Sequence, residues 1–155
     1  MENTYIVYPD TAEVVSEPGM EMAAWHFISE PGRISFGVVD FVPGRAVKLH
    51  THDTWEVIII DSGSEGPGFV YFDGQWWRAD PGSAVFVPKG LVHAWSAGNH
   101  NTFKMLWLYE GTLEEAGRTW VDETRPSHLI SPEEEKTALK WTPEAGRRAA
   151  EKAHQ

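Results

Sequence analysis

The chain has 155 residues, of which 41% are apolar and 12% aromatic, so it can bury the core of one globular domain. It carries 23 Asp and Glu against 13 Lys and Arg, a net charge of −10. This balance argues against nucleic acid or an anionic membrane as a partner, because binding to phosphates requires dense Lys and Arg. The lack of cysteine excludes disulfides, thiolate nucleophiles and Cys-ligated metal sites.

The N-terminal residues show no leader pattern, and the longest apolar run, Met105–Tyr109, is too short to cross a bilayer. We therefore expect a cytoplasmic protein.

Short runs of β-favouring residues alternate with Gly, Pro and Asp turns over the first two thirds of the chain, which predicts an all-β sandwich or barrel. Asp73-Gly74 is the clearest hairpin signal, because a type I′ turn needs positive φ at both central residues. The predicted strands are Tyr5–Tyr8, Ala24–Ser29, Ile34–Val42, Ala46–His52, Trp55–Ile60, Gly68–Phe72, Gln75–Arg78, Ala84–Val87, His93–Ala97 and Thr102–Tyr109.

Helix signals replace strand signals after Gly111. Thr112 and Ser131 each begin a capping box, and Pro132 favours a first helical turn. We predict short helices at about 113–119, 132–139 and 143–153. The chain is accordingly divided into a β-barrel domain at 1–111 and a helical tail at 112–155.

Four residues have the chemistry of metal ligands. His50 and His52 are two apart, so on a strand their imidazoles leave the same face. Glu56 can return to that face after a bend, and His93 is a fourth candidate. Three imidazoles and a carboxylate suit Fe, Mn, Ni, Co, Zn or Cu. The alternative is that each histidine is an ordinary core or surface residue.

Two stretches around these residues resemble the cupin motifs. Residues 44–63 resemble the first motif at every defined position, namely Gly44, His50, His52, Glu56 and Gly63. Residues 82–93 resemble the second motif up to its histidine, with Gly82, Pro88, Gly90 and His93. The sequence departs from the second motif at Ala97, where the family usually has Asn.

The resemblance to the cupin superfamily implies a small antiparallel β-barrel, the double-stranded β-helix or jelly roll. It also implies that His50, His52, Glu56 and His93 bind one divalent transition metal per chain. Iron is favoured, and Mn, Ni, Zn, Co and Cu remain open.

Because residues two apart on a strand share one face, the ligand positions also indicate which residues could surround such a metal. Trp95 shares a face with His93, and the uncharged face of the last predicted strand carries Phe103, Met105, Trp107 and Tyr109. Phe36 and Trp77 are further candidates for the substrate pocket. Each of these residues can instead be plain core. The candidate inner faces carry almost no Lys or Arg, which favours an apolar or aromatic ligand over an anionic one.

Two residues are candidates for catalysis. Tyr109, if it points inward, can donate a hydrogen bond or a proton. His26 lies in an apolar strand, where a structural role is the alternative to acid–base chemistry.

The predicted function is a metal-dependent enzyme acting on a small apolar or aromatic carbonyl, enol or phenolic compound, with a dioxygenase-type reaction favoured. The alternatives are a non-redox isomerase or lyase, a non-catalytic cupin that binds metal and ligand, and a metal-free structural barrel. Because exposed edge strands need covering, we also expect a homodimer.

Overall fold

The computed structural model describes residues 8, 10, 12–16, 23–121, 129–145 and 147–148. Within these residues almost all regular structure is β. In chain order the strands are β1 Glu13–Ser16, β2 Ala23–Glu30, β3 Ile34–Phe41, β4 Ala46–His52, β5 Glu56–Ile60, β6 Gly68–Phe72, β7 Gln75–Ala79, β8 Ala84–Val87, β9 His93–Ser96, β10 Phe103–Glu110, β11 Arg118–Trp120 and β12 Leu139–Lys140. The helices with defined bounds are α1 Leu113–Ala116 and α2 Pro132–Thr137.

The strands form two sheets of six. The first has the order β1-β2-β3-β10-β5-β8, and the second has the order β11-β4-β9-β6-β7-β12. All pairings are antiparallel except that of β12 with β7. Over the part of the chain that the structure describes, no strand pairing joins the two sheets. The predicted antiparallel barrel is therefore not closed by hydrogen bonds, and the two-sheet arrangement is consistent with a jelly roll.

The main core lies between the two sheets, as their inward-facing side chains show. Ile58 and Phe41 of the first sheet share one buried cluster with Trp77 and Trp95 of the second. A smaller cluster covers the outer face of the second sheet, where Ile130 is fully buried. The segment leading into α2 thus closes over this face and keeps its apolar side chains from water.

The strand predictions from Ala24 to Tyr109 are confirmed, and each predicted bound is either identical to the observed one or one residue away from it. The predicted Asp73-Gly74 turn is also confirmed, because these residues have φ of 51° and 79°. The strand predicted at Tyr5–Tyr8 lies outside the described residues except for Tyr8, which is not in a strand.

The predicted helices are longer than the observed ones. The helix predicted at 113–119 ends at Ala116, because Gly117 adopts the left-handed conformation with φ of 56°. Arg118–Trp120 then pair with β4 instead of continuing the helix. The helix predicted at 132–139 ends at Thr137, and Leu139–Lys140 add to the second sheet.

Of the third predicted helix, at 143–153, residues 143–145 and 147–148 are helical, and the others lie outside the described residues. Among the helices that the structure describes, none has the length and apolar character needed to cross a membrane.

Gly37 provides a test of how tightly the first sheet packs near its centre. A Cβ at this position would lie 2.1 Å from Cζ2 of Trp107 and 2.6 Å from the carbonyl oxygen of Trp25. We expect Gly37→Ala to lower the free energy of unfolding by about 1–3 kcal/mol, because neither the indole nor the backbone can yield freely. Urea denaturation measures this loss.

The matched control is Gly63→Ala, whose Cβ would meet only the flexible carboxylate of Asp61, at 3.0 Å. Equal stability of Gly37→Ala and the wild type would contradict the packing described here.

Candidate metal centre

The four candidate ligands come from three strands in both sheets. His50 and His52 alternate with the less buried Thr51 along β4, so both imidazoles face the interior. His93 begins β9 and is the direct cross-strand partner of His50. Glu56 begins β5 in the opposite sheet, after a bend at residues 53–54. The site therefore bridges the two layers.

The four side chains converge as the sequence predicts. One ligand atom from each of His50, His52, Glu56 and His93 lies within 4.8 Å of the others. The Oε2 atom of Glu56 is 3.0 Å from Nε2 of His93 and 4.0 Å from Nε2 of His52. All four residues are buried. This spacing suits four atoms that share one cation.

Backbone carbonyls orient two of the imidazoles. Nδ1 of His50 lies 2.6 Å from the carbonyl oxygen of Lys48, and Nδ1 of His93 lies 3.0 Å from that of Leu91. Since a carbonyl can only accept, each Nδ1 must carry the proton and donate it. The Nε2 atoms are then the nitrogens left to bind a metal, which is the usual arrangement of metal-binding histidines.

The contact between Glu56 and His93 requires a positive charge. A carboxylate oxygen 3.0 Å from an imidazole Nε2 is repelled if that nitrogen also presents a lone pair. Only a cation shared by the two atoms, a proton or a metal ion, makes the contact favourable. The chemistry of the donor set therefore fits a metal ion.

His52 supplies a second sign of the same fit. Among the described residues neither of its buried ring nitrogens has a hydrogen-bond partner, which is costly unless a ligand satisfies one of them. Burial lowers the pKa of His52 to about 4. Burial, aided by the nearby charge of His93, also holds the pKa of His50 well below its usual value. Both rings are thus neutral at pH 7, the form that binds metals.

Glu56 is held as a carboxylate. Burial acts to raise its pKa, but the hydrogen bond and charge of His93, the charge of His52 and a hydrogen bond from Tyr109 together bring the pKa below its usual value. The cluster therefore offers three imidazoles, of which those of His50 and His52 are neutral, and one anion, a set suited to a divalent transition metal.

A cavity of about 30 Å³ adjoins the cluster. Its lining includes four of the residues proposed from sequence, namely Trp95, Met105, Trp107 and Tyr109. Tyr109 lies beside the candidate ligands, with its ring centroid 4.7 Å from that of His52. Burial, with the charge of Glu56, raises the pKa of Tyr109 well above its usual value, so the phenol keeps its proton.

Three of the predicted pocket residues do not line this cavity. Phe103 stacks on Phe41 in the core, with ring centroids 4.5 Å apart. Trp77 stacks on Phe72 and lines a separate, larger groove. Phe36 is on the less buried, outer face of β3, where its ring lies near that of Phe27.

His26 also lies outside the cavity lining. Its ring centroid is 5.2 Å from that of Trp107, and its Nδ1 is 4.0 Å from a carboxylate oxygen of Glu13. The histidine thus contacts the back of a lining residue, and the structure does not bring it to the ligands.

Arg118 is the site residue that the sequence reasoning missed. It lines the cavity with His50 and Glu56, and its Nη2 donates to the hydroxyl of Tyr109 over 3.4 Å. The candidate inner faces considered from the sequence carry almost no Lys or Arg, and β11 adds the cationic side chain of Arg118 beside them. The sequence signal that could have found it is Gly117, because glycine commonly ends a helix. The next three residues, Arg118-Thr119-Trp120, could then form a strand whose first and third side chains share one face.

Residues 37–109 match the family model described as the cupin domain. The chain contains a cupin domain. This domain holds all four ligand candidates and Tyr109, whereas Arg118 follows it on β11.

Solved structures agree with this assignment of fold. The polyketide cyclase RemF from Streptomyces resistomycificus aligns with a TM-score of 0.61 at 19% identity, over 89% of this chain and 100% of that chain. A cupin-like protein from Thermotoga maritima aligns with a TM-score of 0.61 at 16% identity, over 91% of this chain and 100% of that chain.

The DMSP lyase DddQ from Ruegeria pomeroyi aligns with a TM-score of 0.56 at 22% identity, over 76% of this chain and 60% of that chain. A search of the curated proteins found no significant match.

Removal of single ligands tests the metal centre. We expect His52→Ala and Glu56→Ala to bind Mn²⁺ or Fe²⁺ at least about tenfold more weakly than the wild type, because each removes one of four donors. Titration of chelator-treated protein, followed by elemental analysis after dialysis, measures the affinity and the stoichiometry.

The control is His100→Ala, since His100 is exposed in a turn. Unchanged metal content in both ligand variants would place the metal elsewhere.

Proposed function

We propose that the protein is a metal-dependent enzyme that moves protons on a small carbonyl or enol compound bound beside the four-ligand cluster. The observation that carries this proposal is the position of Tyr109. Its phenol is buried, lines the same cavity as His50 and Glu56, and belongs to the cross-strand partner of Glu56.

The four candidate ligands suggest a separate role for the metal, for the histidines and for Glu56. A divalent metal, when bound, polarises a carbonyl oxygen and lowers the pKa of an adjacent C–H or O–H group. His50, His52 and His93 hold that metal as neutral ligands. Glu56 supplies negative charge and is the cross-strand partner of Tyr109, so the ligand set and the proton donor are neighbours.

Tyr109 is the proposed catalytic acid. Because burial raises its pKa, the hydroxyl stays protonated and can donate to the carbon of an enol, whose O–H proton passes to solvent as the carbonyl forms. Solvent then returns a proton to the phenolate, and exchange at the α-carbon follows from the reverse of the same steps. After donation the phenolate lies 3.4 Å from the guanidinium of Arg118, which stabilises the negative charge.

The apolar part of the lining excludes water. Trp95 and Trp107 are buried and line the cavity together with Met105. Their low polarity strengthens the interactions among the charged groups and limits side reactions with solvent. This supports chemistry on a compact substrate group.

A dioxygenase-type reaction with iron is the second candidate. The aromatic wall and the ligand set, which suits iron as well as Mn, Ni, Zn, Co or Cu, favour it. Proton transfer is preferred because Tyr109, a candidate from the sequence, has the guanidinium of Arg118 as a second polar group beside it. The named activities of the cyclase and the lyase belong to proteins under 25% identical, so the site alone carries the argument.

Exchange of α-hydrogens in D₂O tests the proposal without a known substrate. We expect the metal-loaded protein to catalyse exchange for some of a panel of small ketones, 1,3-diketones and 2-oxo acids, as followed by proton NMR. Tyr109→Phe should lower the exchange rate by about 10²-fold or more with unchanged metal content, because it removes only the acid.

Tyr71→Phe is the matched control, since Tyr71 packs on Trp76 in the smaller cluster on the outer face of the second sheet. Turnover that requires O₂ would favour the dioxygenase. Stoichiometric metal with no turnover of any panel compound would leave a non-catalytic protein that binds metal and ligand.

A further inference from the structure

We propose that the guanidinium of Arg118 binds a carboxylate of the substrate through two parallel N–H donors, so that the enzyme acts on a small anionic compound and not on a neutral apolar one. That this anion reacts at the metal rests on the function proposed above. The binding of the anion does not.

The strand that carries Arg118 aims the side chain at the ligands. In β11, Arg118 is the cross-strand partner of His52, and Trp120 is the partner of His50. Cross-strand partners project from the same face of a sheet. Arg118 and Trp120 therefore point toward the cluster, while the intervening Thr119 is exposed.

Local contacts hold the strand in this register. The backbone N–H of Asp53 donates to the carbonyl oxygen of Ala116 over 2.7 Å, which ties the end of α1 to the end of β4. The capping box of Thr112 and Glu115 closes the other end of α1. A short, well-capped helix thus delivers Arg118 to a defined position.

The guanidinium is placed for recognition of an anion. Its carbon atom lies 5.4 Å from the ring centroid of Trp120, a distance that allows a cation–π interaction. Its Nη2 reaches the hydroxyl of Tyr109 at 3.4 Å. Arginine with a fixed plane presents a fork of donors that matches a carboxylate.

The size and charge of the cavity agree with such a ligand. About 30 Å³ is room for a group of about two or three non-hydrogen atoms, the size of a carboxylate. Glu56 is the one carboxylate among the described residues that line the cavity. An anionic substrate would therefore meet one like charge on this lining, while the guanidinium of Arg118 and a bound divalent metal would attract it.

Binding of acetate, with acetamide as the neutral isostere, tests the assignment by isothermal titration calorimetry. Both compounds are titrated into chelator-treated protein and into Mn²⁺-loaded protein. We expect acetate to bind both forms, acetamide to bind neither, and Arg118→Gln to weaken acetate binding at least about tenfold in both forms. The matched control is Arg45→Gln, which removes the same charge from an exposed turn and leaves the affinity unchanged.

Arg118→Lys keeps the charge but loses the planar fork, so it remains informative if Arg118→Gln does not fold. We expect it to bind acetate several-fold more weakly than the wild type. Acetate affinity equal to that of the wild type in either variant overturns the proposal. The lack of acetate binding to the wild type up to about 100 mM also overturns it.

The two proposals fail separately. Acetate binding that depends on Arg118 in metal-free protein, without any carbonyl exchange by the loaded protein, removes the proposed enzyme and keeps the anion site. Carbonyl exchange by the loaded wild type, without any acetate binding to the metal-free protein, removes the anion site and keeps the enzyme.

Discussion

The contact between Glu56 and His93 is the constraint on which the site depends. It sets a carboxylate oxygen 3.0 Å from an imidazole nitrogen inside an apolar core. Backbone carbonyls fix the protons of His50 and His93 on the far side of their rings. A buried carboxylate against such a nitrogen is favourable only when the two share a cation, either a proton or a metal ion. The fold thus brings together four side chains that could hold a metal ion.

The two-sheet arrangement gives this cluster its geometry. One sheet contributes three imidazoles from the neighbouring strands β4 and β9, and the other contributes Glu56 from β5. Because the ligands lie on opposing layers, the packing between the layers sets their separation. Trp77, Trp95 and Phe41 fill that interlayer space. The distances between the candidate ligands therefore depend on the packing of the core. We expect a loss of this packing to move the ligands apart.

The segment after the cupin domain changes the chemical character of the cavity. Without β11 the space beside the ligands would be bounded by apolar and aromatic side chains and by Tyr109. With β11 it gains the guanidinium of Arg118 against the phenol. Such a cavity is better matched to an anion and to a developing oxyanion than to a neutral hydrocarbon ring. The same segment continues into Ile130, which covers the outer face of the second sheet.

The amino-acid sequence by itself determined the strands from Ala24 to Tyr109 and the four ligand candidates. Both follow from local rules: the two-residue period of a strand sends His50 and His52 to one face, and glycine and proline mark the turns. The same parity placed Trp95 and Tyr109 beside the ligands.

The tertiary structure decided what local rules do not contain. Arg118 reaches the site only because Gly117 ends a helix and β11 pairs with β4, which lies far away in the chain. Phe36 and Trp77 do not line the cavity, although the sequence predicted both in the substrate pocket. The direction of each side chain depends on which strands lie next to its own strand and on the sheet to which that strand belongs. Pairing between distant strands depends on packing across the whole core, so a pattern read along the chain cannot specify it.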